Sequence, residues 1–255
     1  MSAAAQPRRR AAIFGATSGI ATAVARRLAE AGAELVLVAR DPAAVEAVAA
    51  DLRIRGAPQV ATVAADLART DALRDAAAAA WEALGEGGLD LALIAYGSLP
   101  DQRAAETDPD LAEAALQLNF VSPSLLSGLL ASRFEARRSG TIAVVTSVAG
   151  DRGRRSNYIY GAAKGGLQRY LEGLRHRLAA AGVQVLDIRP GFVSTPMTAH
   201  LPQSGPLWAT SDRVAQDILR AVDAGRDVLY TPWFWRGVML GVRSLPRPLF
   251  HRTPL

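Results

Sequence analysis

Tyr160 and Lys164 lie four residues apart in the stretch NYIYGAAK, and Lys164 is the only lysine among the 29 lysines and arginines of this 255-residue chain. On a helix that spacing places both side chains on one face. Tyr158 has Ala162 at the same offset and so has no basic partner. A phenol with a pKa of about 10 is a poor acid–base group at neutral pH. A neighbouring ammonium favours phenolate and lowers that value. Tyr160 is therefore expected to give a proton to a carbonyl oxygen that receives hydride, or to take one from an alcohol. Arginine would carry the same charge, but lysine is a compact donor that can also reach ribose hydroxyls. Ser147 follows the apolar run GTIAVVT. A serine at the C-terminal end of a parallel strand lies on the ligand side of the sheet, where it can hydrogen-bond a substrate carbonyl.

A second constellation opens the chain. In FGATSGIA, Gly15 and Gly19 flank a short turn before a helical pattern, and Ala21 begins it. Glycine lets backbone approach a pyrophosphate, and the first turn of the helix offers free N–H groups to it. The next apolar run ends in Ala39-Arg40-Asp41. Ala39 leaves room and Arg40 suits a ribose 2′-phosphate, whereas an acidic residue there would bind the 2′-hydroxyl. The expectation is NADP(H) in preference to NAD(H), with Asp41 capping a helix that starts at Pro42.

These residues need a scaffold, and the pattern supplies one. Apolar strand-like runs at 11–15, 34–39, 59–64, 89–95, 140–146, 183–188 and 227–231 alternate with helical patterns. The helical segments are 19–31, an Ala/Val-rich stretch after Pro42, an Ala-rich stretch to 84, then 111–137, 157–181 and 211–224. Strand–helix alternation at this spacing implies βαβ units, and continuous apolar strands imply burial on both faces. The reading is one α/β domain over residues 1–255, a doubly wound seven-stranded parallel sheet with helices on both faces. A basic N-terminal tail (1–9) and an aromatic, Arg-rich C-terminal amphipathic segment (232–255) flank it.

Composition excludes several functions. There is no cysteine, so there are no disulfides and no thiolate metal sites. His176, His200 and His251 show no ligand spacing, and no metal site is expected. The formal charge of +5 gathers at the two ends instead of on one element with stacking aromatics, so no nucleic-acid partner is expected. No signal peptide is visible, and no run reaches about 18 apolar residues. The body is expected to be soluble and cytoplasmic.

Taken in order, Gly15 and Gly19, Asn119 in LQLNF, Ser147, Tyr160 with Lys164, and Pro190-Gly191 in IRPGFVST resemble the short-chain dehydrogenase/reductase family over essentially the whole chain. The resemblance implies a Rossmann fold, a nicotinamide cofactor and Asn119, Ser147, Tyr160 and Lys164 as the catalytic set. Lys164 would bind the nicotinamide ribose and Asn119 would hold a water in a proton relay. It further implies cofactor contacts from Thr17, Ser18 and Ile20 in the first turn and from Asp66, toward the adenine, with Leu67. Pro190 and Gly191 would add to these, with Val193 and Thr195 at the nicotinamide. Two positions depart from the pattern. Phe14 stands where threonine is usual, and Ile94-Ala95-Tyr96-Gly97 replaces Asn-Asn-Ala-Gly, so Tyr96 and Gly97 are expected to form that wall of the cofactor pocket.

The tail TPWFWRGVMLGVRSLPRPLFHR has no acidic residue, none occurring after Asp227. As a helix, it would gather Phe234, Trp235, Val238, Met239, Val242 and Leu245 on one face and align Arg236, Arg243 and Arg247. Two expectations follow: a face packed on protein, or an interfacial helix at anionic lipid. GDRGRRSNYIYGAAKGGLQ and YTPWFWR also resemble a subgroup related to decaprenylphosphoryl-2-keto-ribose reductases, which implies reduction of a keto-sugar on a polyprenyl phosphate at the inner face of the membrane. Reduction of a 3-oxoacyl, fatty-acyl or other hydrophobic carbonyl is the alternative, with a non-catalytic nucleotide sensor and a membrane-recruited interaction module in other classes. The resemblance also implies a homodimer or homotetramer.

Overall fold

The computed structural model describes residues 9–253; most of the expected basic N-terminal tail lies outside them. Of that basic run, Arg9 pairs with Asp223 at 2.6 Å, and Arg10 already belongs to the first strand.

Seven parallel strands form the sheet: β1 (Arg10–Phe14), β2 (Glu34–Ala39), β3 (Val60–Ala64), β4 (Leu91–Ile94), β5 (Thr141–Val145), β6 (Gln184–Pro190) and β9 (Val228–Thr231). Two short strands, β7 (Phe192–Ser194) and β8 (Trp208–Thr210), form a separate parallel pair. The main order is β3-β2-β1-β4-β5-β6-β9. It reverses direction between β1 and β4, where Ile13 lies opposite Leu37 on one side and Leu93 on the other.

Side chains alternate across the sheet, so each strand feeds two cores. Ile13, Leu35 and Leu37 face helices α1 (Gly19–Glu30), α2 (Pro42–Ile54) and α8 (Ser211–Asp223). Phe14, Val36 and Val38 face α3 (Ala72–Glu82), α6 (Ser122–Arg137) and α7 (Tyr158–Leu178). Ser18 caps α1, and, as the sequence predicted, Asp41 caps α2 through the amides of Ala43 and Ala44 at 2.9 and 3.2 Å.

The structure departs from expectation in four places. A short helix α4 (Gln102–Thr107) precedes α5 (Pro109–Leu116). The helix expected at 111–137 is interrupted by a wide π turn, Gln117–Val121, that carries Asn119. The segment Pro109–Arg137 is long and apolar enough to cross a membrane, contrary to the sequence reading, but half of its most apolar window is buried in the fold; α6 supplies Leu126, Leu130 and Phe134 to the core. The tail folds as α9 (Trp235–Ser244) and a single turn, α10 (Arg247–Phe250), so Leu245 and Arg247 do not continue the α9 stripe.

Candidate active site

The β1–β4 reversal opens a cleft at the C-terminal ends of the strands, the usual ligand position in such sheets. Gly15 follows β1 with φ 82°, and a Cβ there would lie 2.7 Å from the Tyr96 Cβ and 2.9 Å from its backbone nitrogen. Only glycine lets the two loops meet this closely. Ser18 donates to the Ala95 carbonyl at 2.8 Å, fixing the turn against the end of β4. Among the described residues, the amides of Gly19 and Ile20 find no acceptor, so the start of α1 presents free N–H groups to the cleft. That backbone fits a dinucleotide pyrophosphate.

The side chains expected to be catalytic converge on the same edge. Ser147 ends the strand run and opens a tight turn (Val148–Asp151), with its hydroxyl accepting from the Ala149 amide at 3.1 Å. This turn packs directly on α7. A Cβ at Gly161 would lie 3.0 Å from the Ala149 carbonyl oxygen, and one at Gly165 2.9 Å from that of Gly150. Gln168 on the same helical stripe donates to the Ser147 carbonyl at 2.8 Å. Gly161, Gly165 and Gln168, at i, i+4 and i+7, thus set the distance between Ser147 and Tyr160. The sequence reading passed over them, although GAAKGGLQ displays the periodicity.

Lys164 is buried, and its Nζ donates to the Val145 carbonyl at 3.1 Å and lies 5.7 Å from the centre of the Tyr160 ring. Burial pushes the Lys164 ammonium down to about 8, opposed by the Asp187 carboxylate. Burial pushes the Tyr160 phenol up to about 12, opposed by its hydrogen bond with the Ser147 hydroxyl. The expected lowering of the Tyr160 pKa is therefore not present in the chain alone. Desolvation of the phenol outweighs its hydrogen bond to Ser147, and the Lys164 ammonium is turned toward a main-chain carbonyl.

Asn119 is fully buried. Its Nδ2 donates to the Ala115 carbonyl at 3.0 Å and its Oδ1 accepts from the Ser98 amide at 3.2 Å. A Cβ on Gly97 would lie 2.6 Å from that Oδ1 and 3.5 Å from Lys164 Nζ, so Gly97, Asn119 and Lys164 meet at one point. The π turn turns Asn119 into the fold, as such bulges often do at functional sites.

Several cofactor expectations are changed in detail. Tyr96 does not turn its phenol to the cleft: its hydroxyl hydrogen-bonds Ser122 at 2.7 Å, and Ser122 donates to the Leu67 carbonyl. Burial drives its pKa upward. Tyr96 thus ties the ends of β3 and β4 to α6, and only its backbone and Cβ border the turn at Gly15. Leu67 is likewise a core side chain, and the Asp66 carboxylate accepts from the Ala68 amide at 3.1 Å. The Val193 side chain is buried under α1 and α8, so any cofactor contact from it must be main-chain. Thr195 does reach the cleft: its Cγ2 lies 3.1 Å from where a Gly19 Cβ would be. Thr17 and Arg40 are exposed at the same edge, and Arg40 enters no ion pair among the described residues. Pro190 ends β6 opposite Thr231.

The tail closes the other side. A Cβ at Gly191 would overlap the Trp235 indole, so the first residue of α9 lies flat on this loop. Trp235 and Met239 are buried with Val148, the neighbour of Ser147. Phe192 stacks on Trp208 at 5.2 Å and meets Trp235 edge-on at 5.5 Å. Arg152 donates to the carbonyls of Val242, Arg243 and Leu245 and sits 3.7 Å over the Phe250 ring. The apolar face expected to be available for lipid is thus largely spent on the chain's own active-site wall.

Residues 9–205 match the family model described as short chain dehydrogenase. The chain belongs to the short-chain dehydrogenase family. An uncharacterized oxidoreductase of Mycobacterium tuberculosis is 41% identical over 246 residues, covering 95% of this chain and 96% of the relative. One from Streptomyces coelicolor is 36% identical over 247 residues, covering 96% of each. A solved short-chain dehydrogenase from Sphingobium yanoikuyae, in complex with NADPH, superposes with a TM-score of 0.81 at 26% identity, covering 96% of each chain. This short-chain dehydrogenase is an NAD(P)-dependent oxidoreductase, and the nicotinamide supplies or accepts the hydride.

Proposed function

We propose that this chain is an NADPH-preferring reductase of a keto-sugar carried on a polyprenyl phosphate. The observation that carries the substrate reading is an unpartnered buried guanidinium nitrogen just after the Ser147 turn, in a protein whose Gly191 loop carries an aromatic cluster. Phe192 and Trp208, backed by the buried Trp235, offer apolar faces to a ring or chain. Beside the Ser147 turn, Arg154 is half-buried, and its Nε is buried with no hydrogen-bond partner. A buried unpaired guanidinium nitrogen is costly and is relieved by an anionic acceptor. An apolar carbonyl substrate alone would not use it; a phosphate next to a polyprenyl chain would. For the cofactor, unpaired Arg40 at the end of β2 favours a 2′-phosphate, and the similar Sphingobium enzyme was solved with NADPH.

The test is NADPH oxidation across a panel of soluble ketones, acyl thioesters and polyprenyl-phosphate keto-sugars. Turnover of the lipid-linked sugar, weakened in Arg154→Gln mainly through KM, is expected. Efficient use of soluble ketones or thioesters with no turnover of the lipid-linked sugar would reject the substrate. A higher kcat/KM for NADH than for NADPH, unchanged in Arg40→Ala, would reject the cofactor preference.

A further inference from the structure

The C-terminal segment has a second face that the active site does not use. Trp235, Met239 and Val242 point inward from α9 and are packed against the site. Leu240, Gly237 and Ser244 point the other way, and Arg236 and Arg243 border them; all five are exposed. Trp233, just before α9, is 76% exposed, Leu240 66% and Leu249 of α10 53%. Among the described residues, only one other large apolar side chain, Ile54, is as open as these. Arg152 holds both short helices through the carbonyls at the end of α9 and the Phe250 ring, so the face is presented by a fixed element.

This face gathers arginines with no acid among them. Elsewhere many arginines find carboxylates, as Arg27 does with Asp212, Arg55 with Glu30 and Asp51, Arg137 with Asp90, and Arg177 with Glu135, while exposed Arg40, Arg74, Arg103, Arg138, Arg155, Arg220 and Arg226 are unpaired among the described residues but are scattered over the body. Arg236, Arg243, Arg247 and Arg252 are exposed and enter no ion pair among the described residues, and the chain holds no acid after Asp227 that could supply one. Exposed tryptophan and leucine among unpaired arginines match the boundary between lipid headgroups and acyl chains.

We infer that the outward face of α9 and α10 docks on an anionic lipid bilayer, while the inward face of the same helix walls the substrate site. The mouth of the site then opens beside the membrane surface, where a lipid-linked substrate would be presented. Docking itself needs neither cofactor nor substrate, so it stands or fails separately from the proposed reaction.

Flotation of the full chain with phosphatidylcholine vesicles, with and without about one-third phosphatidylglycerol, tests the inference. Binding is expected to the anionic vesicles only and should weaken with salt. Replacing Arg236, Arg243, Arg247 and Arg252 together by Gln should weaken it about 5-fold per arginine. Trp233→Ser with Leu240→Gln should also release the chain. Both variants should keep the wild-type melting temperature and NADPH fluorescence titration, because none of these side chains touches the site. No flotation of the wild type, equal flotation on neutral vesicles, or undiminished binding by the arginine variant would each overturn the inference. So would concentration-dependent self-association, without flotation, that the Trp233/Leu240 variant abolishes; that result would assign the face to a second copy of the chain.

Discussion

Lys164 offers the most direct quantitative test, because burial opposes the charge that the chemistry requires. The difference between its ordinary value of 10.5 and about 8 in the fold is worth about 3 kcal/mol, at about 1.4 kcal/mol per pH unit. Between those pH values the unfolded chain holds the Lys164 proton and the folded chain does not. Folding stability from this group must then rise with pH over that interval, since the burial cost of the ammonium disappears once it is neutral. Tyr160 acts with the opposite sign but only from pH 10 to about 12, where its raised pKa keeps a proton that the unfolded chain has lost. A comparison confined to pH 7.5–10 isolates the lysine. The perturbation is Lys164→Met, which keeps an unbranched side chain without the charge. Denaturant midpoints for wild type and variant should show the variant relatively more stable at pH 7.5, with the advantage shrinking by about 2–3 kcal/mol by pH 10. Wild-type kcat/KM for NADPH should fall over the same range with a midpoint near pH 8, as it reports the free enzyme. A stability difference that does not change with pH, together with a flat kcat/KM to pH 9.5, would refute the claim that buried Lys164 must be charged to work.

Other outcomes follow from the same geometry. Lys164→Arg keeps the charge but must fit a guanidinium where a Cβ on Gly97 would lie 3.5 Å from Nζ, so kcat/KM should fall ~100-fold or more while the chain still folds. Ser147→Ala removes the hydroxyl partner of Tyr160, and a kcat loss of ~10²–10³-fold is expected in steady-state assays, with KM for NADPH little changed. Gly15→Ala forces a side chain onto a φ of 82° and into the backbone of Tyr96. It should cost at least ~1–2 kcal/mol in denaturant melts and weaken NADPH titration. Tyr96→Phe breaks the link to Ser122 and should lower stability by about 1–2 kcal/mol in the same melts, yet leave KM for NADPH within about twofold, because the phenol faces the core.

Much was already decided by local sequence. Continuous apolar strands between helical patterns specify a parallel sheet covered on both faces, because nothing else buries such strands. The Tyr160–Lys164 spacing selects its partner by helical period alone, and Asp41-Pro42 marks the start of a helix. These are short-range consequences of backbone geometry. What tertiary structure decided depended on which surfaces meet. Tyr96 stands at a position expected to line the cofactor, but the gap between β4 and α6, with Ser122 waiting as a partner, took its side chain inward. The pKa order of Tyr160 and Lys164 followed from desolvation, which no spacing reveals. The π turn at Asn119 and the β7–β8 pair arose from packing against neighbours distant in sequence. The tail shows the division most plainly. Its composition announced an amphipathic helix, but only the fold placed Trp235 on Gly191 and Arg152 at the end of α9, turning the apolar face into an active-site wall and leaving the arginine-bordered face outward.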